Sequence, residues 1–131
     1  MSDVKVIRYL LANNAPLIAV VPAAKIMAGM IPQGTALPAI AVSHVSGVWR
    51  QEISQQSRQC RARVQVTVMA ATYPQQKQII GLIRTAIPRT RGTINSVNVE
   101  SILREPDGPD FRDDEIGSFM QTQDYFVTFD E

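Results

Sequence analysis

Strict alternation of apolar and polar residues makes residues 60–69 the clearest strand of the chain. Small and β-branched side chains occupy one side and polar side chains the other, the two sets being Ala62, Val64, Val66 and Val68, and Arg61, Arg63, Gln65 and Thr67. Successive side chains of a strand point to opposite faces. One face is therefore predicted to join the core, and the other to meet water or a partner.

Helical spacing appears in two places. Apolar residues spaced three and four apart follow Asp3, a residue that caps helices well, and the asparagines and proline at 13–16 predict the end of this first helix. Thr72 and Gln75 have the spacing of a capping box, so a second helix is predicted to begin there. Its apolar stripe runs from Ile79 to Ile87, and Pro88 ends it.

Less regular patterns predict the remaining elements. Strands are expected over 25–31, 39–45, 93–103 and 118–129, with one more helical turn over 17–21. A long polar loop or arm at 47–59 and an acidic loop at 105–117 separate them. This order predicts a single α+β domain over residues 1–131, a mainly antiparallel sheet of four to five strands with two helices packed on one face.

The formal net charge of +1 is the sum of two opposite blocks within the 131 residues. Residues 1–104 hold 12 basic residues and three acids, a net charge of +9. Residues 105–131 hold Arg112 against nine acids, a net charge of −8. Such asymmetry within one domain indicates an interaction with a charged partner.

Several functional classes lack the residues they need. Cys60 is the only cysteine and His44 the only histidine, so an intrachain disulfide and a multi-ligand Cys/His zinc site are excluded, and a reducing cytoplasm fits. No glycine-rich phosphate loop is present. No membrane segment or secretory signal is predicted. Catalysis by a Cys60 and His44 pair is weighed against a core role for both residues, and the core role is favoured, so the prediction is a protein that is not an enzyme and uses no cofactor or metal.

The acidic stretch has three interpretations. It is a solvated loop, a patch for a protein partner, or a site for a divalent cation, although its spacing does not match an EF-hand loop. The candidate residues of this stretch, for a protein interface or as oxygen ligands of a cation, are Asp107, Asp110, Asp113, Asp114 and Glu115.

The arginines near the clearest strand have two interpretations. They bind nucleic acid nonspecifically, or they pair with the acidic segment of a neighbouring copy, and the second is favoured because no aromatic platform interleaves with them. A solitary tryptophan in the polar segment is a candidate anchor for a partner. The basic-side interface candidates are Trp49, Arg50, Arg58, Arg61 and Arg63.

The order and spacing of several short motifs resemble a known family. The motifs are an amphipathic first helix, Ile31-Pro32-Gln33-Gly34, then 37–42 (LPAIAV), 61–68 (RARVQVTV), Ala71-Thr72-Tyr73 before a helix, and a final aromatic strand at 124–129 (DYFVTF). Together they resemble the tail-completion proteins of long-tailed bacteriophages, also called tail-terminator or tail-to-head joining proteins. The resemblance spans nearly the whole chain.

This resemblance implies a compact α+β subunit that forms a ring, commonly of six copies, at the head-proximal end of the virion tail. Such a ring caps the tail tube and presents a docking surface to the head connector. The implied partners are copies of itself, the tail tube protein and the connector, with nonspecific contact to DNA in the lumen and none to membranes. The family implies no enzymatic activity or cofactor, and its members are made in the host bacterial cytoplasm. Charges of opposite sign at separate places on one chain suit the heterologous contacts of a ring.

Overall fold

Three helices and seven strands make up the fold in a computed structural model that describes residues 2–32, 34–51, 56–89, 91–115 and 117–130. A short 3-10 turn, Ala23–Lys25, precedes the first strand. The helices are α1 (Ser2–Ala12), α2 (Ala15–Ile18) and α3 (Tyr73–Ala86). The strands are β1 (Ile26–Ala28), β2 (Ala39–Gln51), β3 (Gln56–Ala70), β4 (Gly92–Ile94), β5 (Val97–Arg104), β6 (Phe111–Asp113) and β7 (Ser118–Asp130).

The strands form one sheet in the order β1-β2-β3-β7-β5-β4, and β6 also pairs with β7. β1 is parallel to β2, and every other pair is antiparallel. The long strands β2, β3 and β7 lie side by side at the centre. Two bulges interrupt the pairing of β2 with β3, one between His44 and Ser46 and one between Trp49 and Gln51.

The core lies between the helices and one face of this sheet. The alternating apolar residues of β3 are buried on this face, next to Tyr125, Val127 and Phe129 of β7. Three isoleucines of α3 complete the layer, namely Ile79, Ile80 and Ile83. The opposite sheet face carries Arg61, Arg63 and Gln65. The half-buried strand predicted from alternation is therefore present.

The α+β class is confirmed, but the number of elements is corrected to seven strands and three helices. The predicted strand 93–103 is two strands, because Asn95 and Ser96 have positive φ (47° and 70°) and form a turn between them. A three-residue strand, β6, lies inside the predicted acidic loop. The predicted helical turn near Leu17 is α2, whose first turn is capped by the Asn14 side chain accepting from Leu17 N at 3.1 Å.

The segment 47–59, predicted as a loop or arm, consists of paired strands in its described part. β2 continues to Gln51 and β3 begins at Gln56, so the two form a long hairpin whose residues 52–55 lie outside the described ranges. In the described ranges, no helix has the length and apolar character needed to cross a membrane.

The capping box that predicts α3 is present in slightly altered form. The Thr72 hydroxyl accepts from Gln75 N at 3.3 Å. The Gln75 side chain accepts from Ala71 N, also at 3.3 Å, one residue before the cap. Both contacts satisfy amides that have no partner within the helix, which explains why the chain turns into a helix directly after β3.

Candidate functional site

The distal half of β2 projects as an exposed strand. Every residue from His44 to Arg50 is exposed, and Val48 is 72% accessible. Trp49 packs edge-on against Phe129, with ring centroids 6.2 Å apart, yet remains 46% exposed. The indole is therefore attached to the end of the core while part of its surface stays open to a partner.

The two arginines of β3 on the open sheet face have different roles. Both lie over the ring of Phe126, with Arg61 at 4.2 Å and Arg63 at 5.8 Å from its centroid. Arg63 also donates to Asp124 Oδ2 through Nε and Nη2, both at 2.7 Å. The Asp124 side chain is only 10% exposed, so this arginine neutralises a nearly buried carboxylate of its own chain. Arg61 and the neighbouring Arg58 are exposed.

The first part of the acidic segment is fastened to α3. Arg84 Nη2 lies 2.6 Å from Asp107 Oδ2, and Lys77 Nζ lies 2.7 Å from Asp110 Oδ1. The Tyr73 hydroxyl donates to the other oxygen of Asp110 at 2.7 Å. The hydrogen bond from Lys77, followed by that from Tyr73, holds the pKa of the Asp110 carboxyl below its ordinary value. The same bond to Asp110 raises the pKa of the Lys77 ammonium.

Two glutamines on the helix side of β7 complete this attachment. Gln121 donates to Gly108 O at 3.0 Å and Gln123 donates to Glu105 O. Gly108 N donates to Thr122 O at 2.9 Å. A side-chain Cβ at Gly108 would stand 2.4 Å from Thr122 Oγ1, so only glycine allows this close approach without displacement of the hydroxyl. These contacts hold residues 105–108 against β7.

The second part of the acidic segment faces solvent. Asp114 is 86% exposed in its side chain and lies 3.3 Å from the exposed Arg112. Asp113 Oδ1 accepts from Glu115 N at 3.0 Å, which closes a local turn. The acidic turn, defined as Asp113, Asp114 and Glu115, therefore presents its charge at the surface beside β6.

A buried carboxylate lies beside the only histidine. Asp3 is fully buried, and its Oδ2 stands 2.5 Å from His44 Nδ1. A Cβ at Gly47 would lie 3.2 Å from His44 Cε1 and 3.3 Å from Cys60 Sγ, so the histidine and the buried cysteine lie on the same side of the hairpin. In the described part of the chain, no three metal-ligating side chains form a cluster.

The structure thus separates the ten interface candidates into two groups. Ion pairs to other elements of the fold hold Arg63, Asp107 and Asp110, whereas Asp114 makes a local, exposed pair with Arg112. Seven others lie on the hairpin or the acidic turn, namely Trp49, Arg50, Arg58, Arg61, Asp113, Asp114 and Glu115. That they contact a partner stays a prediction.

Sequence reasoning missed the groups that fasten the acidic segment, Lys77, Arg84 and Tyr73, together with Gln121 and Gln123. One signal was present. Gln121 and Gln123 occupy alternate positions of the final strand, in register with the buried Tyr125 and Phe129, where apolar residues are expected.

A family model described as Tail completion protein gp17 matches residues 5–124. The chain belongs to this family. The resemblance to phage tail-completion proteins is therefore confirmed over most of the chain, and the family is one of structural virion proteins.

The fold of this tail completion family member is also found in a solved structure. A chain of the "Virion of native gene transfer agent (GTA) particle" superposes with a TM-score of 0.71 and 11% sequence identity, covering 98% of this chain and 94% of that one. At this identity the likeness concerns the fold. No curated protein sequence matches the chain.

Proposed function

We propose that this tail completion protein forms a closed ring of six copies that caps the tail tube at the head-proximal end and provides the joining surface to the head connector. Family membership over residues 5–124 is the observation that carries the proposal. In this proposal the protein is made in the host bacterial cytoplasm and becomes part of the virion, and its partners are other copies of itself, the tube protein and the connector.

The distribution of charge after folding supports a ring over a two-fold dimer. Arg58 and Arg61 are exposed at the hairpin, whereas the acidic turn 113–115 lies beside β6, which pairs with a different part of β7. A ring uses two different patches of each subunit, and a two-fold dimer uses the same patch twice. Patches of opposite sign therefore attract in a ring, while like charges meet in a dimer that pairs either patch with itself.

Three of the charges that suggested this arrangement are paired with other elements of the same subunit. Because Arg63, Asp107 and Asp110 are paired within the subunit, they contribute to its fold. The proposal therefore rests on Arg58 and Arg61 on one side and the acidic turn on the other.

Subunit counting tests the proposal. Native mass spectrometry or mass photometry is carried out on the protein alone and with tail tubes, and hexamers bound to tube ends are expected. A protein that stays monomeric at high concentration, both alone and with tubes, contradicts it.

Charge reversal separates the ring from the nucleic-acid alternative. Arg58→Glu with Arg61→Glu is expected to abolish assembly, and the matched control is Arg89→Glu with Arg91→Glu, which reverses two exposed arginines elsewhere. Loss of salt-sensitive DNA binding with intact assembly favours nonspecific DNA binding by these arginines instead.

A further inference from the structure

The outer edge of β2 is exposed beyond the point where β1 ends. β1 pairs with Ile40, Ala41 and Val42, and Gly29 N donates to Val42 O as the last of these contacts. From Ser43 onward, β2 is paired on its other side with β3. In the described ranges, no strand pairs with the outer side of β2 over residues 43–51.

This edge has two bulges, but over residues 43–49 it lacks the charged and proline residues that usually protect an edge strand from pairing with another chain. Exposed edge strands of monomers generally carry lysine, other charges or proline. Residues 43–49 read SHVSGVW and contain no proline, lysine, arginine or acid. Val45, Val48 and Trp49 are instead exposed apolar side chains on it, with Val45 51% accessible. The bulges at Val45 and Arg50 leave a regular stretch from Ser46 to Trp49, which is long enough to pair with a short strand.

The start of the edge opens into a basic cleft. This cleft of about 640 Å³ lies between α1 and the end of β1, and its lining includes Lys5, Arg8, Tyr9, Ser43 and His44. A strand that extended the line of β1 along β2 would cross it. The lining therefore favours an incoming strand that carries acidic side chains.

The charge around the free strand edges of a second copy indicates which of them suits the β2 edge. The outer side of β5 over residues 100–103 borders a hollow lined by Arg89, Arg91 and Glu100, and because the arginines outnumber the acid it suits the basic hairpin less well than an acidic edge does. β6 pairs with β7 on one side, bears the exposed Phe111, and leads into the acidic turn. Its three residues fit within the four-residue regular stretch of β2 between the two bulges.

We infer that the β2 edge at Ser46–Trp49 pairs with β6 of the next copy, so that the sheet continues across the subunit boundary. Main-chain hydrogen bonds join the two strands, Phe111 of one copy meets the apolar side chains of the other, and the acidic turn faces Arg58 and Arg61. This inference rests on the proposed ring and adds the strand pairing that joins neighbouring subunits.

Crosslinking between subunits tests the pairing. Ser46→Cys and Arg112→Cys are placed on separate copies, mixed under assembly conditions and treated with a short bismaleimide. Opposed residues of neighbouring strands lie close enough for such a reagent. A 46–112 crosslinked dimer is expected, because each copy carries only one of the two introduced cysteines. The controls are the chain with only the buried Cys60, and Ser46→Cys mixed with Thr93→Cys on the β4 edge.

Hydrogen exchange on the unaltered protein provides an independent readout. Amides of residues 43–50 are expected to exchange about tenfold more slowly in the assembled ring than in the free subunit. A 46–46 or 46–93 product overturns the inference. A ring that forms without the 46–112 product and without slower exchange at 43–50 overturns the inference and leaves the proposed function standing. If no ring forms in the presence of tubes, both fail.

Discussion

Replacement of Arg63 by alanine is expected to destabilise the subunit, whereas replacement of Arg61 is not. The Arg63 guanidinium makes two charge-assisted contacts of 2.7 Å to Asp124, whose carboxylate is 10% exposed and has a buried Oδ1 with no hydrogen-bond partner in the described part of the chain. Arg63→Ala leaves this carboxylate nearly buried without a countercharge.

The expected loss of stability in Arg63→Ala depends on how exposed the ion pair between Arg63 and Asp124 is. Breaking a fully buried pair costs about 3–5 kcal/mol. An exposed pair is worth about 1 kcal/mol or less. Because the Arg63 side chain is 41% exposed, water screens part of the attraction, and a loss of about 2 kcal/mol in the free energy of unfolding is expected. Arg61 lies 4.2 Å from the Phe126 centroid, and an exposed cation–π contact of this kind contributes about 0.5 kcal/mol.

Urea unfolding followed by Trp49 fluorescence and circular dichroism measures both variants. Arg63→Ala combined with Asp124→Asn is expected to recover part of the loss, because the uncompensated charge is then removed, and the double-mutant cycle gives the coupling directly. Equal losses in the free energy of unfolding for Arg63→Ala and Arg61→Ala would refute the reasoning that Arg63 stabilises the subunit and Arg61 does not. The absence of coupling between Arg63 and Asp124 would refute it as well.

Three further predictions concern the core and the fastened acidic segment. Burial raises the pKa of Tyr125 to about 12, and its hydroxyl has no hydrogen-bond partner within the described ranges, so Tyr125→Phe is expected to raise the free energy of unfolding by about 1 kcal/mol; a marked loss would reveal a missed partner. Gly108→Ala is expected to lower the free energy of unfolding by about 1 kcal/mol, because the added Cβ meets Thr122. The control Gly81→Ala on α3 has open space around the new Cβ and is expected to raise the free energy of unfolding by about 1 kcal/mol. Equal effects of the two substitutions would contradict this. Because folding lowers the pKa of Asp110, its carboxylate stabilises the folded state above the ordinary pKa of 3.8, and this stabilisation is lost as the pH falls through the folded pKa. In urea unfolding, Asp110→Asn is therefore expected to lose less stability than the unaltered protein on acidification. An unchanged pH dependence of the free energy of unfolding would contradict this.

Elements with strong periodicity were predictable, and short elements were not. The alternation of β3 and the capping box at Thr72 are local patterns, and the structure contains both. β6 has three residues, too few to show a period of two, and its pairing depends on β7. The turn between β4 and β5 depends on the positive φ of Asn95 and Ser96. The residues on both sides favour a strand, so the sequence pattern predicts one continuous strand there.

The candidate site was predictable in composition but not in pairing. The charge segregation could be counted, yet it could not show which charges the fold neutralises. Asp124 meets Arg63 because of the register between β3 and β7, and Asp110 meets Lys77 because a distant segment crosses α3. Contacts between residues 33 to 61 positions apart depend on tertiary structure, which no local pattern encodes.

Electron microscopy of tails assembled without this protein tests the central claim most directly. The proposed ring predicts either tubes of uncontrolled length or tails of normal length that fail to join heads, with recovery when the unaltered protein is added back. Tails of normal length joined to heads in its absence would contradict the claim that this protein completes the tail.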